Sequence, residues 1–578
     1  MSTAGSPKSS PPAAKRIKLD AAAAAEPSTA ESNGMPAVTS APEFTSAPPP
    51  PAEAESSDEE EEQEDAKEEE DLSRTDMYLD TISRQKLDFD FEHLCSKSLS
   101  NINVYACLVC GKYFQGRGKG SWAYRHAVGD NHRVWLNLDT EKFYVLPEGY
   151  PVADHSLNDI IRVLHPRYAP KDIARLSRLP PLSYTLEGQK YTPGYIGINN
   201  IKGNDYCNVV IHLLLHVPPL RNFLLHPNTP QLQIEARPTE LVKRFATLAQ
   251  RLWNPHLFKA QVSPHEFLHE VTKRSNGKFK TTEQGDPVEF LGWLVNTLHR
   301  DLGGTKKRNS SIVYSTFQGK VQIETQQVIT HKEYARPVFD VGRDIQKISS
   351  PFLFLALDLP ATPLFTDINE KKIIPQVSLG QILAKFDGKH TQEFGPTLKR
   401  HHLTSLPPYL ILHMKRFTKN NFVEERNPTI VNFPLRGVDM SECKCLSLLT
   451  SNAAERLADV DPKPSDNVHT QYDLLSNVFL DTTAASTSTS GTGPGITKRT
   501  PQQGEENQMF WKIHVRAGQT EGEEGKNGAE KSAETEGRGE KWFEMQDLNV
   551  TEVRKEMVFL GETVIQVWER RDLSTSRK

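Results

Sequence analysis

The sequence turns on one segment, Gly197–Val217, which reads GINNIKGNDYCNVVIHLLLHV. Its first half is a polar, glycine-containing loop. Its second half sets Val209, Val210, Leu213, Leu214 and Val217 at helical spacing, an apolar stripe that needs a core. Asp205 stands at the junction, where a short acceptor side chain makes a good helix N-cap. The one thiol, Cys207, lies two residues further on, about 200° around a helix from position 205. The nearby carboxylate disfavours its thiolate form.

Working outward, about 190 to 570 reads as one mixed α/β region. In EQGDPVEFLGWLVNTL, Glu283 to Leu298, Asp286 predicts an N-cap, Pro287 the first helical position and Glu289 the far side of a capping box. Leu291, Leu294 and Leu298 form its buried face. Tyr409 to Met414 is an apolar run of strand length. Two Gly/Ser/Thr/Glu-rich tracts, 482–508 and 517–540, read as disordered insertions within that region, because strand-like runs resume after each. Upstream, Leu157, Ile160, Ile161 and Leu164 predict a short helix, followed by a Pro-rich linker.

Composition excludes several classes. The net charge of -5 hides an asymmetry: residues 1–71 hold 17 acids against 5 bases, and the remainder 64 bases against 57 acids. The leader, poor in aromatics, is expected to be disordered. Within it, Lys15, Arg16 and Lys18 form a basic cluster resembling a nuclear localisation signal for an import receptor. Ser56 and Ser57, before an acidic run, look like acidophilic kinase substrates. No stretch of 18 apolar residues provides a membrane helix, and no apolar signal-peptide core opens the chain. Six cysteines in 578 residues are too few for a disulfide framework and read as thiols or metal ligands. An excess of seven cations over so long a body does not by itself predict RNA binding, and no RNA-binding motif is present.

Cys107 and Cys110, then His126 and His132, give C-x2-C-x15-H-x5-H, close to the spacing of a tetrahedral structural zinc site. Cys95 and His93 lie just upstream as alternative ligands. The stretch CLVCGKYFQGRG, Cys107 to Gly118, with the following His-bearing segment and WLNL, resembles the ubiquitin-hydrolase type zinc finger. That resemblance implies a module that can take the free C-terminal Gly-Gly of ubiquitin. The usual opening CxxC reads Cys95-Ser96-Lys97-Ser98 here, and Lys112 stands where arginine is common, which favours a single zinc.

From about 190 onward the resemblance is to the ubiquitin-specific protease family. Gly197, Asn200, Tyr206 and Asn208 match its cysteine box, the helix of Glu283–Leu298 its second box, and LPPYLILHMKRF its third. The resemblance implies an α+β, papain-like fold of palm, thumb and fingers. It also implies a cysteine nucleophile, a histidine base and an acidic or amide orienter. On those matches the three positions hold Asp205, Phe510 and Gln546, with Asp547 adjacent to the last. His514 lies four residues along the strand, about 13 Å from the base position. The constellation is therefore expected to be non-catalytic. Cys443 and Cys445, a C-x-C pair, read as free thiols.

The resulting expectation is a disordered leader (1–75), a zinc finger (76–175), a linker (176–190) and a protease-like domain (191–572). Taken together, the features resemble the inactive protease-like splicing factors of the spliceosomal tri-snRNP. That implies a nuclear protein acting in pre-mRNA splicing, with an indirect role in cell division. Ubiquitin or a ubiquitin-like protein is a further candidate partner, held by a receptor or cut by an active thiol protease using Cys207 and His514.

Overall fold

The structure is a computed structural model. It describes residues 77–176, 178–226, 239–333, 336–341, 345–361, 375–419, 424–441, 470–481, 510–518 and 540–571. The acidic leader, the basic cluster at Lys15, Cys443, Cys445 and almost all of both insertions lie outside these residues.

The first module is a five-stranded antiparallel sheet of order β2-β1-β3-β4-β5, from β1 (Val104–Cys107), β2 (Tyr113–Gln115), β3 (Val134–Asn137), β4 (Phe143–Val145) and β5 (Tyr150–Val152). Strand residues alternate faces, so β1 divides its side chains between two clusters. Val104 and Ala106 join a core with Leu157, Ile160 and Leu164, around α2 (Asn158–Leu164). Tyr105 and Cys107 join Phe114, Ala123, Ala127 and Trp135 under α1 (Trp122–Asp130). The short helix read from Leu157–Leu164 is present and uses the expected residues.

A helix α3 (Pro170–Arg175) and two small ladders lead to the second region. They are β6 (Ser183–Tyr184) with β7 (Lys190–Tyr191), and β8 (Gly197–Ile198) with β9 (Gln261–Val262). The thumb-like lobe holds α4 (Asp205–Leu215), α5 (Pro218–Leu225), α6 (Glu240–Leu252), α7 (His265–Arg274), α8 (Pro287–Asp301) and α9 (Ile312–Phe317). Every residue of α4 is buried, beyond the stripe read from sequence.

A fingers-like sheet, order β11-β10-β16-β15 with β12 against β10, contains β10 (Gly319–Glu333), β11 (Arg336–Val341), β12 (Gln346–Phe352), β15 (Gln392–Phe394) and β16 (Thr397–Ser405). Between these come β13 (Phe354–Asp358), β14 (Gln376–Ser378) and the helix α10 (Leu379–Leu383). The palm has order β13-β17-β26-β22-β23-β24-β25, with β21 on β22. Its members are β13, β17 (Tyr409–Lys415), β21 (Val438–Asp439), β22 (Gln471–Asp481), β23 (Phe510–Arg516), β24 (Trp542–Gln546), β25 (Asn549–Val553) and β26 (Glu562–Arg570). The short strands β18 (Phe417–Lys419) and β19 (Glu424–Arg426) pair together, and β20 (Ile430–Asn432) pairs with β14. Both palm faces are covered: Tyr409 and Ile411 face the helical lobe, and Leu410, Leu412 and Met414 face the opposite core. A strand buried on both sides needs a continuous apolar run, which is how Tyr409–Met414 reads.

The two regions are joined by apolar and polar contacts. Phe258 of the helical lobe sits in the core of the first module. Asp90 accepts from the Ser263 N–H at 2.8 Å and lies 3.6 Å from Arg251. The Tyr168 hydroxyl donates to the Gln250 carbonyl at 2.6 Å, and Asn254 to that of Arg162 at 2.9 Å. Among the described residues no single helix is long and apolar enough to cross a membrane.

Candidate functional site

The loop before α4 is fixed by approach and by hydrogen bonding. A Cβ on Gly197 would lie 2.7 Å from the Leu548 Cα, so only glycine lets β8 pass there. Ile198 N–H donates to the Asp547 carbonyl at 2.9 Å. Asn204, not Asp205, is the cap residue of α4, and Asp205 occupies the first helical position. The Asn204 side chain turns back into the loop, accepting from Ile201 N–H at 2.7 Å. This corrects the reading of Asp205 as N-cap: the four-residue asparagine spacing gives the loop its own acceptor.

Asn200, Asn204 and Asn208 close a ring with Asp547. The Asp547 carboxylate accepts from Asn200 Nδ2 at 2.9 Å and from Asn208 Nδ2 at 2.8 Å. Asn204 donates through Nδ2 to Asn208 Oδ1 at 3.0 Å and through its backbone N–H to Asn200 Oδ1 at 3.2 Å. Asp547 sits at φ +49, in the turn between β24 and β25.

Asp205 is 3% exposed. Its Oδ2 accepts from the Trp511 backbone N–H at 3.2 Å and from Gln284 Nε2 at 3.1 Å, while Oδ1 has no hydrogen-bond partner among the described residues. Burial pushes its carboxyl above the ordinary carboxylate range, against the lowering effect of the Trp511 N–H. Phe510 opens β23 opposite Asp481, so the two positions read as nucleophile and base adjoin across the Trp511 hydrogen bond. Gln546 ends β24 opposite Asn549.

The remaining candidates for thiol chemistry sit elsewhere. Cys207 is 1% exposed in the main core, and burial drives its thiol far above the usual value. His514 is paired in register with Asn477 and Glu544, four residues from Phe510. It stacks on Phe479 at 4.3 Å and its Nε2 meets Glu544 Oε2 at 3.0 Å. Among the described residues no hydrogen bond links Cys207 to His514, whose Nε2 is taken by Glu544.

The second site lies between β1 and α1. The ligand atoms of Cys107, Cys110, His126 and His132 all lie within 4.8 Å of one another. Cys107 ends β1, and a tight turn closed by Gly111 N–H to the Cys107 carbonyl brings Cys110 back. Gly111 has φ +75, and a Cβ there would strike the Lys86 carbonyl oxygen at 2.2 Å. His126 projects from α1, whose cap Ser121 accepts from Tyr124 N–H, and left-handed Asn131 ends the helix just before His132. His126 Nε2 lies 2.9 Å from His132 Nδ1 and 3.4 Å from the Cys110 sulfur. On its other side His126 Nδ1 meets Asp130 at 2.7 Å, an orienting contact that the i,i+4 spacing made readable and the sequence reading missed. A hydrogen bond from Cys107 holds the Cys110 thiol below its ordinary value. Two sulfurs and two imidazoles at this range suit zinc. Cys95 stands outside the group, its sulfur accepting from Ser98 N–H at 3.4 Å.

A papain-like palm and thumb behind a cysteine–histidine finger define a ubiquitin-hydrolase-like protein. The model described as ubiquitin carboxyl-terminal hydrolase matches residues 196–488, and that described as Zn-finger in ubiquitin-hydrolases and other protein matches 95–157. The chain belongs to the ubiquitin carboxyl-terminal hydrolase family. It is similar to the "Probable mRNA-splicing protein ubp10" of Schizosaccharomyces pombe, 44% identical over 501 residues, 86% of this chain and 88% of the relative. It is also similar to human "Ubiquitin carboxyl-terminal hydrolase 39", 43% identical over 512 residues, 86% of this chain and 80% of the relative. Among solved structures, one described as "Crystal structure of an essential yeast splicing factor" matches with a TM-score of 0.60 at 28% identity, covering 85% of this chain and 99% of that one.

Proposed function

We propose that the chain is a non-catalytic splicing factor of the nucleus, supporting assembly or stability of the spliceosomal tri-snRNP with a hydrolase fold as protein-binding scaffold. The relatives' names pull two ways, splicing and hydrolase. The observation that carries the choice is Asp205, buried at the nucleophile position and tied to Trp511 N–H, with Phe510 beside it. A carboxylate cannot form the thioester that cysteine chemistry requires, and a phenyl ring cannot take a proton. Import through Lys15, Arg16 and Lys18 completes the reading.

In the finger, Cys107, Cys110, His126 and His132 would hold a structural zinc, which adds folding energy to a small module and leaves no open position for catalysis. Ubiquitin bound without cleavage fits the same fold, and direct titration separates the two roles. The decisive experiment adds a ubiquitin probe with a C-terminal electrophile to the full chain, and adds the chain back to depleted nuclear extract. No covalent adduct and restored splicing are expected. An adduct lost on Cys207→Ala would overturn the proposal.

A further inference from the structure

The loop joining α8 to α9 carries Lys306, Lys307 and Arg308 in a row, all exposed. None of the three side chains has an ion pair or hydrogen bond among the described residues. Cations near the start of α8 differ: Lys278 is held by Glu289 at 3.1 Å and Lys280 by Glu283 at 2.7 Å. The one acid between Leu298 and Ser311 is Asp301, whose side chain is 7% exposed and already bound to Arg274 at 2.7 Å and Thr239 at 2.7 Å. Exposed Arg300 adds a fourth cation on the last turn of α8.

The loop is held in shape from below. Ser310 Oγ donates to the Thr305 carbonyl at 2.8 Å and accepts from Thr305 N–H at 3.0 Å, closing the turn. Thr305 Oγ1 accepts from Lys307 N–H at 3.3 Å, and Gly304 N–H donates to the His299 carbonyl at 2.8 Å. His299 in turn bonds Ser311 at 2.7 Å and stacks on Tyr314 at 3.5 Å. A Cβ on Gly304 would lie 2.2 Å from the His299 ring, so the chain passes there only as glycine. The cations are thus presented on a braced turn, and no counter-charge has to be displaced.

We infer that this loop, Thr305–Asn309, is a contact for the phosphate backbone of RNA. The choice of RNA among polyanions rests on the splicing reading above. Adjacent ammonium groups and a forked guanidinium match successive phosphates. The loop has no aromatic side chain on which a base would stack, so it grips the backbone without reading sequence.

The test uses the full chain, a labelled 20-nucleotide single-stranded RNA and a short RNA duplex, with binding followed by anisotropy at several salt concentrations. The variant Lys306→Gln/Lys307→Gln/Arg308→Gln should bind single-stranded RNA about 10–100-fold more weakly at low salt. Its slope of log affinity against log salt should be shallower by about 2, at roughly 0.7 per lost phosphate contact. Ser310→Ala, which keeps the charge and releases the turn, should weaken binding with the slope unchanged. An unaltered slope in the triple variant, with an unchanged melting temperature, overturns the inference. So does equal competition by polyglutamate, which would assign the loop to an acidic protein. Splicing restored by the parent chain alongside an unaltered slope removes only this inference. Loop-dependent RNA binding by a chain that fails to restore splicing removes only the splicing reading.

Discussion

Asp205 places a carboxyl where burial opposes its charge, and the sign of the consequence can be worked out. Its folded pKa is raised, so the folded state holds the proton more tightly than the unfolded chain. The stability it contributes is present below the ordinary carboxylate value, 3.8, and is lost as pH rises through the folded value. Asp205→Asn keeps an acceptor for Trp511 and removes the titration. It should equal or exceed the parent in stability at pH 7, and remove the fall in melting temperature that the parent shows as pH rises above the ordinary carboxylate value. A clear loss of melting temperature at pH 7 would show instead that the carboxylate is net favourable. Cys207 should resist iodoacetamide in the native chain and react only on unfolding, as peptide mass mapping would show. Gly197→Ala should destabilise by about 1–3 kcal/mol in denaturant melts, because the obstruction is Leu548 backbone. The reading of Asp205 as the residue at the nucleophile position rests on residue type and motif alone. The destination of the Asp205 carboxyl was not legible, because Trp511 is 306 residues away in the chain.

Elements were read well where local chemistry sets them. The α8 start is as expected: Asp286 accepts from Val288 N–H and Pro287 holds the first position. Glu289 differs, reaching across to Lys278 at 3.1 Å, because an available cation competes with the back-turned capping contact. Asp286→Ala should therefore cost about 1 kcal/mol, seen as a lowered midpoint in thermal melts, while Glu289→Ala should fall within about 0.5 kcal/mol. The helix α4 shows the limit of periodicity. A stripe was visible, yet every face is buried, since α8 covers one side and the palm sheet another. Its polar residues share that burial: His212 is 2% exposed, neither ring nitrogen has a hydrogen-bond partner among the described residues, and burial holds it neutral.

Across the molecule, the architecture of finger, palm, thumb and fingers was legible from four separated motifs, whereas the joint between the first module and the helical lobe was not. That joint uses Phe258, Asp90 and Arg251, none of which belongs to a periodic or spaced pattern. Because the cysteine–histidine cluster proposed to hold zinc lies in the module's smaller core, removing a metal bound there should unsettle one region before the rest. Chelation of the full chain is expected to lower the first thermal transition, and Asp130→Ala to weaken zinc affinity about 10–100-fold through loss of the His126 contact. Metal content after dialysis would measure both. The asparagine ring around Asp547 has a different reach. An enzyme leaves polar groups in its cleft unspent so that a substrate can engage them, and accepts some looseness in return. Here three amides and a carboxylate satisfy one another, riveting β8, α4 and the β24–β25 turn together. A partner docking near that rivet meets a shape already set, and little of its binding energy is consumed in ordering loops.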